Sequence, residues 1–258
     1  MIVKSLNDIS DGLDAKFKPL VTNVTSVDPY KCGFIDIETT SGKKTFEDCD
    51  QWEQSLFEKK IQNMLSQMEM DASGNTSDLY TQKAALFPEY GKITCISFGY
   101  LKPNQTIPTI FSFIHDDEKQ LIENFFKFFV VKFNHIEFKL VGGNIRYFDL
   151  PFIHRRAMAH GLAIPKFLYN PHAKPWEMNI FDVIEFHRAG SKIGDSTMDS
   201  LCRIFGVESP KSQMDGSMTS KAYWDGKIES IATYCEADVM ALFGVFMGMT
   251  KLVSFKYE

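Results

Sequence analysis

The sequence predicts an α/β protein in which a mixed β-sheet is flanked by helices. Short apolar runs rich in β-branched and aromatic residues occur at 32–39, 93–100, 109–114 and 138–143. Strands that come early and then alternate with helices are typical of this class. The chain has 258 residues, of which 44% are hydrophobic and 24% charged, so it can bury a large core. We predict a single domain over 1–258.

The segments around these strands differ in composition. Residues 1–31 carry scattered Asp, Asn, Ser and Pro and are predicted to be an irregular lead-in. The stretch 41–90 is predicted to be a helical insertion, with a flexible break at 71–78 where Ser, Gly, Asn and Asp cluster. The second and third strands flank a turn and form an antiparallel hairpin. Helices are predicted at 118–132, 150–160, 197–205, 217–224 and 228–248.

Composition and patterning exclude several classes of protein. No stretch approaches the roughly 18 uninterrupted apolar residues of a membrane span, and the N-terminus lacks the order of a signal peptide. The five cysteines are scattered and form no Cys-x-x-Cys pair, so neither a disulfide framework nor a zinc site is indicated. We expect a cytoplasmic protein with no membrane partner. A net charge of −5 argues against extensive basic patches, but it is compatible with a nucleic-acid enzyme whose site is acidic.

Two carboxylates interrupt the first strand. Because alternate side chains of a strand share a face, Asp36 and Glu38 project from the same side, about 7 Å apart. A divalent cation with oxygen ligands would relieve their mutual repulsion. A solvated acidic strand face is the alternative, and the pair taken alone favours that alternative.

Carboxylates later in the chain change that balance. Asp149 follows a strand that ends at glycines, where the sites of α/β sheets collect, although a helix N-cap would explain it equally well. Asp238 lies about 20° from Ile231, on the margin of the apolar stripe of its helix. A carboxylate facing the packed side is costly unless it is paired or binds a metal. Tyr234 lies one turn before Asp238; a core tyrosine is the alternative for this residue.

In this order the three features resemble the motifs of the DEDD exonucleases, in their tyrosine-bearing branch. The matching residues are Asp36-x-Glu38, Asn144 with Phe148-Asp149, and Tyr234-x-x-x-Asp238. The Phe-Asp-Leu-Pro-Phe run at 148–152 is similar to the proofreading exonuclease domain of family B DNA polymerases. Its stand-alone bacterial and phage relatives are similar to this chain at 86–93, 200–206 and 211–217. The resemblance spans about 33–245.

The resemblance implies a ribonuclease H-like fold with a five-stranded mixed sheet and two divalent cations, Mg²⁺ or Mn²⁺. Asp36, Glu38 and Asp238 are expected to hold one cation. Asp36 would bridge to the second, with Asp149 assisting through water. Tyr234 would orient the attacking water and help to deprotonate it. Two metals about 3.5–4 Å apart stabilise both the attacking and the leaving oxygen of a phosphodiester.

The expected substrate is single-stranded or frayed-end nucleic acid, with DNA favoured, degraded from its 3′ end to nucleoside monophosphates. Asn144 and Phe148 are expected to line the pocket for the end nucleotide, since single strands are held by stacking. Arg146 and Lys211 are expected to contact phosphates. The sequence shows no polymerase domain, so proofreading would need a polymerase or repair partner in trans. Two alternatives remain open: a structure-selective endonuclease of the same fold, and a non-catalytic nucleic-acid-binding module.

Overall fold

The computed structural model describes residues 27–67, 75–133, 138–165, 168, 174, 178–191, 196–210 and 218–253. Within this part of the chain, five strands form one sheet in the order β3-β2-β1-β4-β5. The strands are β1 (Cys32–Ser41), β2 (Gly91–Tyr100), β3 (Thr109–Phe113), β4 (Lys139–Gly142) and β5 (Ile180–Asp182). β2 runs antiparallel to β1 and β3, whereas β4 runs parallel to β1 and β5. The predicted mixed five-stranded sheet is therefore confirmed.

Helices cover both faces of the sheet. They are α1 (Gln51–Gln67), α2 (Thr76–Lys83), α3 (Glu118–Phe133), α4 (Asp149–Ala159), α5 (Val183–Arg188), α6 (Met198–Phe205), α7 (Thr219–Trp224) and α8 (Ile228–Val253). Alternation along β1 sends Ile35 and Ile37 into the core formed with α3 and α4. Phe34 points the other way, into the core formed with α5, α6 and α8. β1 is thus the central strand of a three-layer structure.

A buried ion-pair network joins α3, α4 and β2 on the first of these faces. Glu118 accepts hydrogen bonds from the Arg156 guanidinium at 2.5 Å, the His160 ring at 2.7 Å and the Ile93 amide at 2.7 Å. Burial alone would raise the pKa of Glu118, but these partners overcome it and hold the pKa below its ordinary value. Glu118 is a buried carboxylate whose charge is fully compensated.

The structure differs from the sequence prediction in two places. The flexible break predicted at 71–78 is helical from Thr76, because the Asn75 side chain caps α2 by accepting from the Ser77 amide; 71–74 lie outside the described residues. The sequence pattern did not locate β5 and α5, which together span only 180–188. Of the lead-in at 1–31, only 27–31 are described, and Pro29–Lys31 form a short 3₁₀ turn.

α8, which packs against the sheet, is the most apolar helix in the described part of the chain. Its segment Ile228–Thr250 has a mean hydropathy of 1.3 and is long enough to cross a membrane by length and composition alone. Half of that apolar window is buried inside the fold, where Val239 and Phe246 pack with Phe34 of β1. The core helix of a globular domain meets the same criterion.

Candidate metal centre

The central strand presents two carboxylates to the face covered by α8. Asp36 pairs with Ser97 and Glu38 with Cys95 across the antiparallel β1–β2 ladder. The register shifts between Glu38, which pairs with Cys95, and Thr39, which pairs with Ile93, so Thr94 of β2 is the extra residue of an irregularity opposite the second carboxylate. Bulges re-aim side chains and are common beside active sites. The predicted sharing of one face by Asp36 and Glu38 is confirmed by their common neighbour on α8, Cys235.

Asp36, Glu38 and Cys235 form a tight group of ligand atoms. One ligand atom from each lies within 4.8 Å of the others. The Cys235 thiol is 3.4 Å from Asp36 Oδ2 and 3.5 Å from the Asp36 carbonyl oxygen. The sequence did not predict Cys235 as a site residue, because its position places it in the apolar stripe of α8. Cys235 is fully buried.

Asp149 and Asp238 bring two more negative charges to the same place. Asp149 is the first residue of α4 and is only 3% exposed; Asp238 is half-buried on α8. Burial raises the pKa of Asp36 well above its ordinary range, and the charges of Asp149, Asp238 and Glu38 raise it further. The four carboxylates predicted from three separate motifs therefore interact with one another in the fold, although Asp149 and Asp238 lie outside the tightest group of ligand atoms.

The pKa of Asp149 is raised to about 7. Burial is the largest cause, and the nearby charge of Asp182 adds to it. The backbone amides of Asp149 and Ile37 oppose the shift. Because Ile37 lies between the two β1 carboxylates, this contact also places the Asp149 carboxylate against the middle of β1.

Tyr234 faces the same cluster from α8 and is 7% exposed. Burial raises the pKa of its phenol, and the charges of Asp238, Glu38 and Asp36 add to the shift. The hydroxyl group therefore keeps its proton at neutral pH. It can donate a hydrogen bond and so orient a ligand.

The residues present fit divalent cations. In the part of the chain that the structure describes, no lysine or arginine forms an ion pair with Asp36, Glu38 or Asp149. Carboxylate oxygens are the ligands that Mg²⁺ and Mn²⁺ prefer. Glu38 is 7% exposed, and burial raises its pKa well above the ordinary range, against the hydrogen bond from Thr219. Such uncompensated buried carboxylates are stabilised either by protons or by bound cations.

The four residues predicted to contact substrate differ in their exposure and in their partners. Asn144 is exposed in a turn after β4, with a left-handed backbone (φ 63°). Phe148 is half-buried, its ring centroid 5.6 Å from that of Phe152. Arg146 is engaged by Glu185, with Nε 2.7 Å from Oε2. Lys211 lies outside the described residues. Substrate contacts by these four residues stay predictions.

Asp182 has a role that the sequence reasoning missed. Its carboxylate caps α5 by accepting from the amides of Ile184 and Glu185, at 3.0 and 3.1 Å. It also accepts from the amides of Asn144 and Arg146, at 3.2 and 3.4 Å. Asp182 therefore anchors the loop that leads into Asp149. The Asp-x-x-Glu spacing at 182–185, typical of a helix start, was the signal available in the sequence.

α7 adds a cluster of one cation and two aromatic rings beside the acidic group. The Lys92 ammonium is 2.5 Å from the Tyr223 hydroxyl, and it lies 4.2 Å from the ring centroid of Tyr223 and 5.3 Å from that of Trp224. Thr219, one turn before Tyr223, contacts Glu38. The same short helix therefore contacts Glu38 through its first residue and Lys92 through residues of its next turn.

Comparisons with known proteins identify a family and a fold for this chain. A family model described as "Predicted 3'-5' exonuclease related to the exonuclease domain of PolB" matches residues 86–255, about two thirds of the chain. Asp149, Tyr234 and Asp238 lie inside that match, whereas Asp36 and Glu38 precede it. No curated protein matches the chain.

A solved structure shares the fold. The family B DNA polymerase from the hyperthermophilic archaeon Pyrobaculum calidifontis superposes on 84% of this chain with a TM-score of 0.54 and 16% identity. At that identity the likeness shows the fold alone. The chain spans only 24% of the length of that polymerase. The superposition covers more of the chain than the family model does.

Asp149→Asn is expected to reduce the pH dependence of stability of the metal-free protein. The folded-state pKa of Asp149, about 7, exceeds its ordinary value of 3.8. The contribution of Asp149 to the stability of the folded protein is therefore fully present below about pH 4 and is lost as pH rises through 7. Thermal unfolding is measured in EDTA between pH 4.5 and 8. The melting temperature of the variant minus that of wild type should increase by several degrees across this range. A difference that is constant across this range would contradict the expectation.

Proposed function

The chain belongs to the family of predicted 3′-5′ exonucleases related to the exonuclease domain of PolB, and we propose that it hydrolyses phosphodiester bonds of nucleic acid from the 3′ end. The products would be nucleoside monophosphates. The observation that carries this proposal is the convergence of four carboxylates from β1, α4 and α8 around Asp36. We assign the chain to the tyrosine-bearing DEDD type because Tyr234 faces the same group.

The acidic cluster would hold two divalent cations, Mg²⁺ or Mn²⁺. Asp36 would contribute to both positions, Glu38 and Asp238 to one and Asp149 to the other. Bound cations supply charge neutralisation at the attacking and leaving oxygens and lower the pKa of a water ligand. Tyr234, which faces these carboxylates from α8, would donate its hydroxyl proton in a hydrogen bond and so orient the attacking water.

A single strand or a frayed end, with DNA favoured, is the proposed substrate. Its 3′ end must reach a carboxylate cluster that is mostly buried, which favours an unpaired strand over a closed duplex. Asn144 and Phe148, at the loop before Asp149, are proposed to contact the end nucleotide. A polymerase or repair partner is also proposed, in line with the description of the family as related to the exonuclease domain of PolB.

Lys92 is a further proposed phosphate contact. In the described part of the chain it forms no ion pair with a carboxylate, and it is half-buried between the strand and α7. Contact with Tyr223 and Trp224 holds the ammonium in place without neutralising it. A fixed, uncompensated cation beside an acidic site is suited to a phosphate of the bound strand.

Asp36→Asn is expected to slow the degradation of a 5′-labelled single strand in Mn²⁺ by roughly 10²–10³-fold, since metal ions supply several kcal/mol of charge stabilisation. Wild type should produce a ladder that shortens from the 3′ end. Glu229→Gln, an exposed acidic residue on the same helix as Asp238, is the matched control and should behave as wild type. Equal rates for Asp36→Asn and wild type would refute the proposal, and cleavage of a covalently closed circle would identify an endonuclease instead.

Lys92→Met is expected to weaken strand binding and to lower the magnitude of the salt dependence (log affinity against log salt) by about 0.7, the loss of one phosphate contact. The measurement is fluorescence anisotropy of a labelled oligonucleotide in the non-degrading Asp36→Asn background. Lys92→Arg should keep the slope. Lys127→Met, on α3 at the other face of the sheet and paired with Glu123, should leave it unchanged. Weaker binding with an unaltered slope would show that Lys92 only packs.

A further inference from the structure

Glu38 receives a hydrogen bond from a buried side chain outside the predicted motifs. Thr219 Oγ1 donates to Glu38 Oε2 at 2.9 Å, across 181 positions of sequence. The threonine is fully buried. We propose that Thr219 is a positioning residue of the metal centre, which fixes the Glu38 carboxylate so that its other oxygen faces a cation. The inference rests on the proposed metal-dependent function, and it assigns a specific role to α7.

Glu38 needs such a partner because its surroundings are repulsive. A glutamate side chain has three rotatable bonds, and Asp238 and Asp149 act on it with like charge. Without a donor, the carboxylate would turn away from its neighbours or take up a proton. The hydrogen bond from the Thr219 hydroxyl favours the charged form of Glu38, whereas burial disfavours it. A β-branched side chain is stiff at χ1, so Thr219 offers that hydroxyl in a defined direction.

The placement of Thr219 does not depend on Glu38. Two other contacts join α7 to the end of β1, and both involve Ser41. The Ser41 amide donates to Ser220 Oγ at 3.3 Å, and Trp224 Nε1 donates to Ser41 Oγ at 3.0 Å. The helix is therefore held against the strand that carries Glu38, and the hydroxyl group is in position before any cation binds.

The hydroxyl group of Thr219 has no competing use in its helix. Thr219 is the first residue of α7, and the preceding Met218 caps the helix without a side-chain hydrogen bond. Partners that orient metal-binding carboxylates in this way contribute 10–100-fold to metal affinity. The expected consequence of losing the hydroxyl is therefore a weaker cation site in a protein that is otherwise folded.

The test measures Mn²⁺ binding directly, by electron paramagnetic resonance of the free ion, without cleavage. Thr219→Val should raise the dissociation constant for Mn²⁺ about tenfold or more, and Thr219→Ser, which restores the hydroxyl, should return it close to the wild-type value. Thr233→Val, an exposed threonine of α8, is the matched control and should leave it unchanged. Thermal unfolding in EDTA checks that each variant is folded, and Thr219→Ala replaces the valine variant if that one is not.

A double-mutant cycle with Glu38→Gln separates positioning from general damage to the fold. If Thr219 acts through Glu38, Thr219→Val should cause no further loss of affinity once Glu38 is replaced. An equal loss in both backgrounds, or wild-type affinity in Thr219→Val, would overturn the inference. Neither result would bear on the exonuclease proposal, whose failure would show separately as Mn²⁺ binding without strand degradation.

Discussion

The uncompensated negative charge on β1 is the constraint around which the rest of the site is organised. A central strand that is paired on both sides fixes the backbone positions of Asp36 and Glu38, so the strand itself cannot move to relieve their repulsion. α4 and α8 then bring Asp149 and Asp238 towards them instead of basic side chains. The pKa values of Asp36, Glu38 and Asp149 all rise as a result. The repulsion among these carboxylates destabilises the fold, and bound cations would remove it.

Glu118 shows what a structural carboxylate looks like in the same chain. It is as deeply buried as Glu38, yet Arg156 and His160 compensate its charge and its pKa falls below the ordinary value. The opposite directions of these shifts separate a carboxylate that stabilises helix packing from carboxylates arranged for binding. Arg156 is half-buried, and it also donates a hydrogen bond to the carbonyl oxygen of Pro88.

The sequence was sufficient for those features that rest on local patterns. The period-two alternation of β1, the β2–β3 hairpin and the apolar stripe of α8 predicted individual strands and helices, the shared face of Asp36 and Glu38, and the position of Asp238 at the margin of its helix stripe. The common site of these residues with Asp149 and Tyr234 was implied by the resemblance to a known family, not by these local patterns. β5 was too short for periodicity to detect. The contacts of Thr219, Lys92 and Cys235 join residues more than 130 positions apart, and no local pattern encodes such pairings. The order of elements within the sheet was likewise accessible only from the fold.

The central claim is that the four carboxylates bind two cations, and anomalous diffraction from crystals soaked in Mn²⁺ tests it most directly. The account predicts two manganese peaks about 3.5–4 Å apart, both contacting Asp36, one also bounded by Glu38 and Asp238 and the other nearer Asp149. The absence of any peak on this face of β1 at millimolar Mn²⁺, or an ion bound without Asp36, would contradict it.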